Sequence, residues 1–185
     1  FYNEFGFDTN FDLELEIKRS WHDQAKLAMK NAYLHLTLEQ ADWNVSPTHF
    51  QASSFPLHWR QKISVIHDGV DLHQARPDPS AAPLTLPDGT VLEKGQPIVT
   101  FVNRSLEPYR GCHTFIRAIP ELQRLYPEAR LVIVGKTVGV SYGANSPTGE
   151  WKDRFLLEIE GQYDPSRVHF TGKLPYSQFI PLLQL

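Results

Sequence analysis

Four consecutive apolar residues, Leu131-Val132-Ile133-Val134, stand between Arg130 and Gly135. A run this apolar cannot be half exposed. It predicts a strand covered on both faces, the setting of a parallel sheet flanked by helices. The residues around it keep the same rhythm. Ile98 to Asn103 reads as a strand, and Gly111 to Tyr126 as a helix with Phe115, Ile119, Leu122 and Tyr126 on one face. After a long Gly/Ser/Pro loop from Lys136 to Glu150 come a helix over Trp151 to Gln162, a strand over Arg167 to Thr171, and a helix from Pro175 onward. Strands and helices alternating at these lengths predict an α/β fold.

The first part of the chain follows a looser version of that pattern. Phe1 to Asp12 is aromatic and acidic, and reads as a strand end or loop. Leu13 to Asp42 contains no Pro or Gly and carries Trp21, Ala25, Ala28, Ala32 and Leu36 at helical steps. Trp43 to Val45 reads as a short strand. Ser46-Pro47-Thr48 then predicts a helix start, with Ser46 as N-cap and Pro47 at the first position, running to Phe55. Ile63 to His67 reads as a strand ending at Asp68-Gly69. Prolines and an Ala pair mark Val70 to Pro97 as a linker. Within it Leu84-Thr85-Leu86 and Thr90-Val91-Leu92 flank an Asp-Gly turn and suggest a hairpin, with an ordered surface loop as the alternative.

Charge and cysteine content narrow the function. Of the 185 residues, 18 are Lys or Arg and 21 are Asp or Glu, and the signs are interspersed, so no general nucleic-acid surface is expected and any anion site is local. The single cysteine, Cys112, excludes an intramolecular disulfide and fits a reducing compartment such as the cytoplasm. No apolar run reaches the roughly 20 residues of a membrane helix. The eight histidines are scattered, with no pair at metal-ligand spacing, so no zinc site is expected. The chain opens on Phe1 without Met and closes at Leu185 within an amphipathic pattern, which suggests an internal piece of a longer protein.

The chemistry concentrates at Asn103-Arg104-Ser105-Leu106-Glu107-Pro108-Tyr109-Arg110-Gly111. An apolar strand ends near a cation, a Pro-containing turn follows, and a second cation and a Gly open a helix. Two guanidinium groups and free backbone N–H groups at one helix N-terminus suit a phosphate or diphosphate. Two surface arginines pairing with Glu107 or Glu121 are the alternative. Gly135-Lys136-Thr137 imitates the tail of a P-loop, but position 130 is Arg and a loop follows the strand, so a Walker motif is rejected. No G-x-G-x-x-G follows any strand, which counts against a dinucleotide fold. Gly139 to Gly149 reads either as a mobile loop over a ligand or as a plain solvent loop. Cys112 sits where a helix N-terminus lowers thiol pKa, yet it has no apparent base and reads as buried and structural; His113 reads as solvent-facing.

The Arg104 to Gly111 stretch resembles the first donor-domain loop of the group 1 family sugar transferases, the retaining GT-B glycosyltransferases. Related enzymes carry an Arg shortly after this strand, then Lys-Gly at the start of the helix. Here Arg104 matches the Arg, and Arg110-Gly111 stands in place of Lys-Gly. Arg104, Arg110 and Gly111 are thereby implied as donor diphosphate ligands, with Arg110 the looser match because Arg and Lys differ in geometry. The Val134-Gly135 strand end resembles the family's second donor-domain strand, implying Gly135 and Lys136 near the nucleotide sugar. Val168-His169-Phe170-Thr171-Gly172 resembles the family's V-x-F-x-G, implying Gly172, Lys173 and Leu174 near the nucleotide. A Gly turn before a helix-starting Pro accounts for that segment equally well. His67-Asp68-Gly69-Val70-Asp71 resembles the family's N-G-V-D turn, and Ala41 to Thr48 its A-D-x-x-x-x-x-S strand and helix, with the Ser early.

The resemblance implies a GT-B-like fold of two Rossmann-like domains, both incomplete here. Residues 1–71 then end the acceptor-side domain, 72–97 form the linker, and 98–185 are the first half of the nucleotide-sugar domain. It implies retaining transfer from a UDP-, GDP- or ADP-sugar to a saccharide, lipid-linked or protein acceptor. No metal or cofactor is implied beyond the nucleotide-sugar co-substrate. The family's pair of glutamates and its acceptor-domain Gly-rich loop and His are not in these residues, so no catalytic residue is assigned and the segment alone is expected to be inactive. A non-catalytic nucleotide- or phosphate-binding module, or another GT-B enzyme of the epimerase or phosphorylase type, remains as an alternative.

Overall fold

The computed structural model describes residues 21–141, 143 and 145–185. The strand end or loop expected over Phe1 to Asp12, and the first turns of the helix expected from Leu13, lie outside them. The chain divides into two compact units, Phe1–Val70 and Asp71–Leu185.

In the first unit, helix α1 (Trp21–Gln40) precedes strand β1 (Asn44–Ser46), short helices α2 (His49–Ser53) and α3 (Leu57–Arg60), and strand β2 (Ile63–Val65). β1 and β2 pair in parallel, Asn44 opposite Ile63 and Ser46 opposite Val65. The helical stripe differs from the expected one. Trp21 and Leu36 are exposed, and the buried face is Leu34 and Leu38, packed with Phe55, Trp59 and Ile63. The leucines bury more apolar area than the alanine row, and they take the core. The helix start also moves. Ser46 lies in the strand, and Thr48 is the N-cap, its hydroxyl accepting from the Gln51 amide at 3.1 Å. Gly69 has a left-handed φ of 81°, as the turn closing this unit requires.

The second unit is a three-stranded parallel sheet in the order β5 (Ile98–Ser105), β6 (Arg130–Lys136), β7 (Val168–Gly172). It also holds helices α4 (Cys112–Leu125), α5 (Trp151–Glu158) and α6 (Tyr176–Gln184). β6 is central, and Leu131, Val132 and Ile133 are fully buried, as the apolar run predicts. The two faces have different covers. Val132 and Val134 meet Leu174 and Leu182 on one side, together with Leu86 and Leu92. Ile133 lies beside Phe101 on the other, where Phe101 stacks on Phe115 of α4 with centroids 4.8 Å apart.

Leu86 and Leu92 belong to the predicted hairpin, which forms as β3 (Leu84–Thr85) and β4 (Val91–Leu92), with Leu84 opposite Leu92. Part of the stretch read as a linker is thus built into the core of the second unit, through Leu84, Leu86 and Leu92, while Leu72 is exposed. The hairpin turn is tied to β7 as well: His169 Nδ1 lies 2.8 Å from Asp88 Oδ2 and 3.4 Å from the Thr90 hydroxyl.

On α4 the buried face is Cys112, Ile116, Ile119 and Gln123, one position round from the expected stripe; Tyr126 is exposed. Gln123 explains the shift. Its amide donates to the Asp164 carbonyl at 3.0 Å and accepts from the Asp164 amide at 2.7 Å. A polar side chain satisfied in this way can occupy a core position.

Candidate functional site

Because β5, β6 and β7 are parallel, their C-terminal ends share one edge, where open α/β sheets bind ligands. The sequence-predicted residues lie along that edge. Arg104 is the next-to-last residue of β5 and is exposed, and Lys136 ends β6, also exposed. Gly172 ends β7 with φ 69°, and exposed Lys173 follows it. A turn of 3-10 helix, Pro108–Arg110, delivers Arg110 and then Gly111, the N-cap of α4 with φ 76°. Leu174 follows, its side chain buried in the core against Val132 and Val134, so its backbone is the part left to face that edge.

β5 runs two residues further than the apolar pattern predicts. Val102 faces Val134, but the next partners are Ser105 and Lys136, so β5 takes three steps where β6 takes two. The extra residue is a bulge at Asn103-Arg104, a device that re-aims side chains at sheet ends. Gly135 lies against it. A Cβ there would meet the Asn103 carbonyl oxygen at 2.8 Å, so the absent side chain makes room for the neighbouring backbone.

The two arginines stand in different surroundings. Among the described residues, no hydrogen bond or ion pair engages the Arg104 side chain. Arg110 Nε lies 3.3 Å from Glu107 Oε1, so the ion-pair alternative holds for Arg110. Glu121 pairs with Arg124 instead. Asn103 Nδ2 donates to the Arg110 carbonyl at 3.0 Å, fixing the turn.

Glu107 is fully buried, and its other carboxylate oxygen accepts from the Ser141 amide. The Ser105 and Ser141 hydroxyls bond to each other. Gly143 sits so close to the Tyr109 ring that a Cβ would meet Cε2 at 2.5 Å. The Gly139 amide donates to Glu150 Oε2 at 2.9 Å. The loop between Lys136 and Trp151 is therefore docked on the turn between β5 and α4, which neither sequence reading of it described. Glu107, Ser105 and Ser141 are residues the sequence reading did not assign. The one signal for them was the i, i+3 spacing of Glu107 and Arg110.

The first turn of α4 has no side-chain cap, and its amides and the helix dipole favour an anion there. Cys112 is fully buried beneath it, and burial pushes the thiol up to about 12, so it is no nucleophile. His113, expected to face solvent, packs at 5.7 Å on Phe155 of α5, and its Nδ1 is buried. Among the described residues no group of three His, Cys, Asp or Glu could hold a metal, and no helix is long and apolar enough to cross a membrane. A surface groove of about 550 Å³ between α5 and the segment that follows it, lined by Leu156, Leu157, Glu160 and Tyr163, contains none of the predicted site residues.

A cationic, glycine-opened strand–turn–helix edge on a parallel sheet defines an α/β domain of the kind that binds ligands at its strand ends. The comparisons place it. The profile "Glycosyl transferases group 1" matches residues 85–185, and "Glycosyl transferase family 4 group" matches residues 1–75. The chain belongs to the group 1 glycosyl transferases. It is 33% identical over 104 residues to a D-inositol 3-phosphate glycosyltransferase of Segniliparus rotundus, covering 54% of this chain and 22% of that protein. The crystal structure of TarM matches 82% of this chain and 25% of its own, with TM-score 0.50 and 15% identity, a likeness of fold of the GT-B type. The chain thus spans about a fifth to a quarter of the length of these relatives.

Proposed function

We propose that the second unit holds the diphosphate of a nucleotide-sugar donor in a retaining glycosyltransferase. The observation that carries this reading is Arg104: an exposed guanidinium with no partner among the described residues, at the C-terminal end of β5 and three-residue turn upstream of α4. Family membership favours a nucleotide-sugar donor, and the exposed strand edge is where open α/β sheets bind ligands. Departure of the nucleoside diphosphate is the hard step, because charge grows on its terminal phosphate. Arg104, the α4 amides and Arg110 would stabilise that charge more in the transition state than in the bound donor. In this reading two cations and a helix N-terminus supply the positive field, with no metal needed. In this reading residues 1–71 belong to the acceptor side, and the 185-residue chain alone is expected to transfer no sugar.

Arg104→Ala in the full-length protein tests the assignment. A charge-assisted contact made chiefly in the transition state contributes about 2–4 kcal/mol, so turnover should fall roughly 30- to 1000-fold. Arg110→Ala should cost less, because Glu107 already engages part of that guanidinium. Wild-type turnover and donor affinity in Arg104→Ala would remove the diphosphate clamp.

A further inference from the structure

We infer that Glu107 is a positioning residue for the donor site, coupling the loop between β6 and α5 to the Arg110 guanidinium; this rests on the diphosphate reading above. A fully buried carboxylate beside an anion site is unexpected on electrostatic grounds, since it repels the ligand. Its partners give the reason. One oxygen receives Arg110 Nε at 3.3 Å, and the other receives the Ser141 amide from a loop 34 residues away. Ser105, two residues before Glu107, adds a hydroxyl bridge to the same Ser141. Tyr109, two residues after it, presses its ring on Gly143. Three alternate residues, from the end of β5 through the following turn, thus meet one loop, and the Glu107 carboxylate also pairs with the Arg110 guanidinium, a predicted phosphate ligand.

Glu107 therefore does two things at once. It holds Arg110 at a fixed place at the mouth of α4, and it makes the docked loop and the placed guanidinium depend on each other. Removing its charge leaves a Gln that can still accept from Ser141. Its amide group, however, cannot accept from the Arg110 guanidinium through the NH2 side. Preorganisation of the second cation is lost while the packing survives.

The test uses the full-length protein with UDP, GDP and ADP as probes, titrated calorimetrically, and amide hydrogen exchange over residues 137–150. E107Q should bind the preferred nucleoside diphosphate about 10-fold more weakly. In an Arg110→Ala background the same change should cost under about 3-fold, because the group it positions is gone. Equal costs in the two backgrounds, or wild-type affinity in E107Q, would overturn the inference. Ser105→Ala, which loses only the hydroxyl bridge, serves if E107Q does not fold: it should speed exchange around Ser141 and weaken the nucleotide about 3-fold, and no change in either would overturn the coupling. Arg104→Ala separates the two readings. If it abolishes nucleotide binding while E107Q does not affect it, only the role of Glu107 fails. If the wild-type protein binds none of the three nucleotides, the donor site itself fails and the inference with it.

Discussion

At the scale of single residues, the second unit depends on polar side chains in places usually reserved for apolar ones. Gln123 and Glu107 show this, both buried. Asp88, exposed in the hairpin turn, depends on polar partners in a different way. Partial burial opposes its ionisation, but the Thr90 amide, His169 and the Thr90 hydroxyl together hold its carboxyl below the usual range. A depressed carboxyl stabilises the fold above its unfolded value and loses that contribution as pH falls through the native one. Asp88→Asn should therefore cost about 1 kcal/mol at pH 7, the value for a charged hydrogen bond discounted for exposure. The gap to wild type should narrow as pH falls below the ordinary Asp value of about 3.9 and through the lowered native one. Urea unfolding of both proteins at several pH values measures it, and a gap constant with pH would refute the charge-based account. Of such residues the sequence discloses little. Gln123 and Glu107 are buried because Asp164 and Ser141, 41 and 34 residues away, return to meet them. A polar residue's partner over such a distance leaves no periodic trace, so a reading by pattern puts both on the surface.

At the scale of elements, apolar runs were the legible part. The strands at Ile98, Leu131 and Val168 begin near where the pattern puts them, since a doubly covered strand must be apolar throughout. Helix faces were less legible. On α4, Phe115, Ile116, Ile119 and Leu122 permit two overlapping stripes, and only packing decides between them. Arg104 lies at the end of β5 as the pattern expects and Gly111 opens α4, while the bulge beside Arg104 depends on strand register and has no sequence signature. The hairpin offers the clearest test at this scale. Leu92 is fully buried on one face and Val91 half exposed on the other. Leu92→Ala should cost about 2–5 kcal/mol, and Val91→Ala about 0.5 kcal/mol or less, by chemical denaturation. Equal effects would mean that the hairpin is the surface loop considered as its alternative.

At the scale of the whole molecule, the core of the second unit closes within its own residues: Leu86, Leu92, Val132, Val134, Leu174 and Leu182 all follow Asp71. Residues 71–185 expressed alone should therefore unfold cooperatively, at a denaturant midpoint matching that of the same unit in the 185-residue chain. A broad, non-cooperative transition would show that the division at Val70 cuts a single folding unit. The first unit has a smaller described core, four buried side chains around Leu34 and Trp59, and should be the less stable of the two.

Cys112 gives this molecule a built-in clock. The chain's single cysteine lies at the first position of α4, immediately after the glycine that caps the proposed diphosphate site. Burial pushes its thiol up to about 12, so the reactive thiolate is scarce near neutral pH. Reaction with an external disulfide thus waits for the helix end to open. The labelling rate counts those openings without any introduced probe, and an anion seated on the α4 amides would slow the count in proportion to its hold.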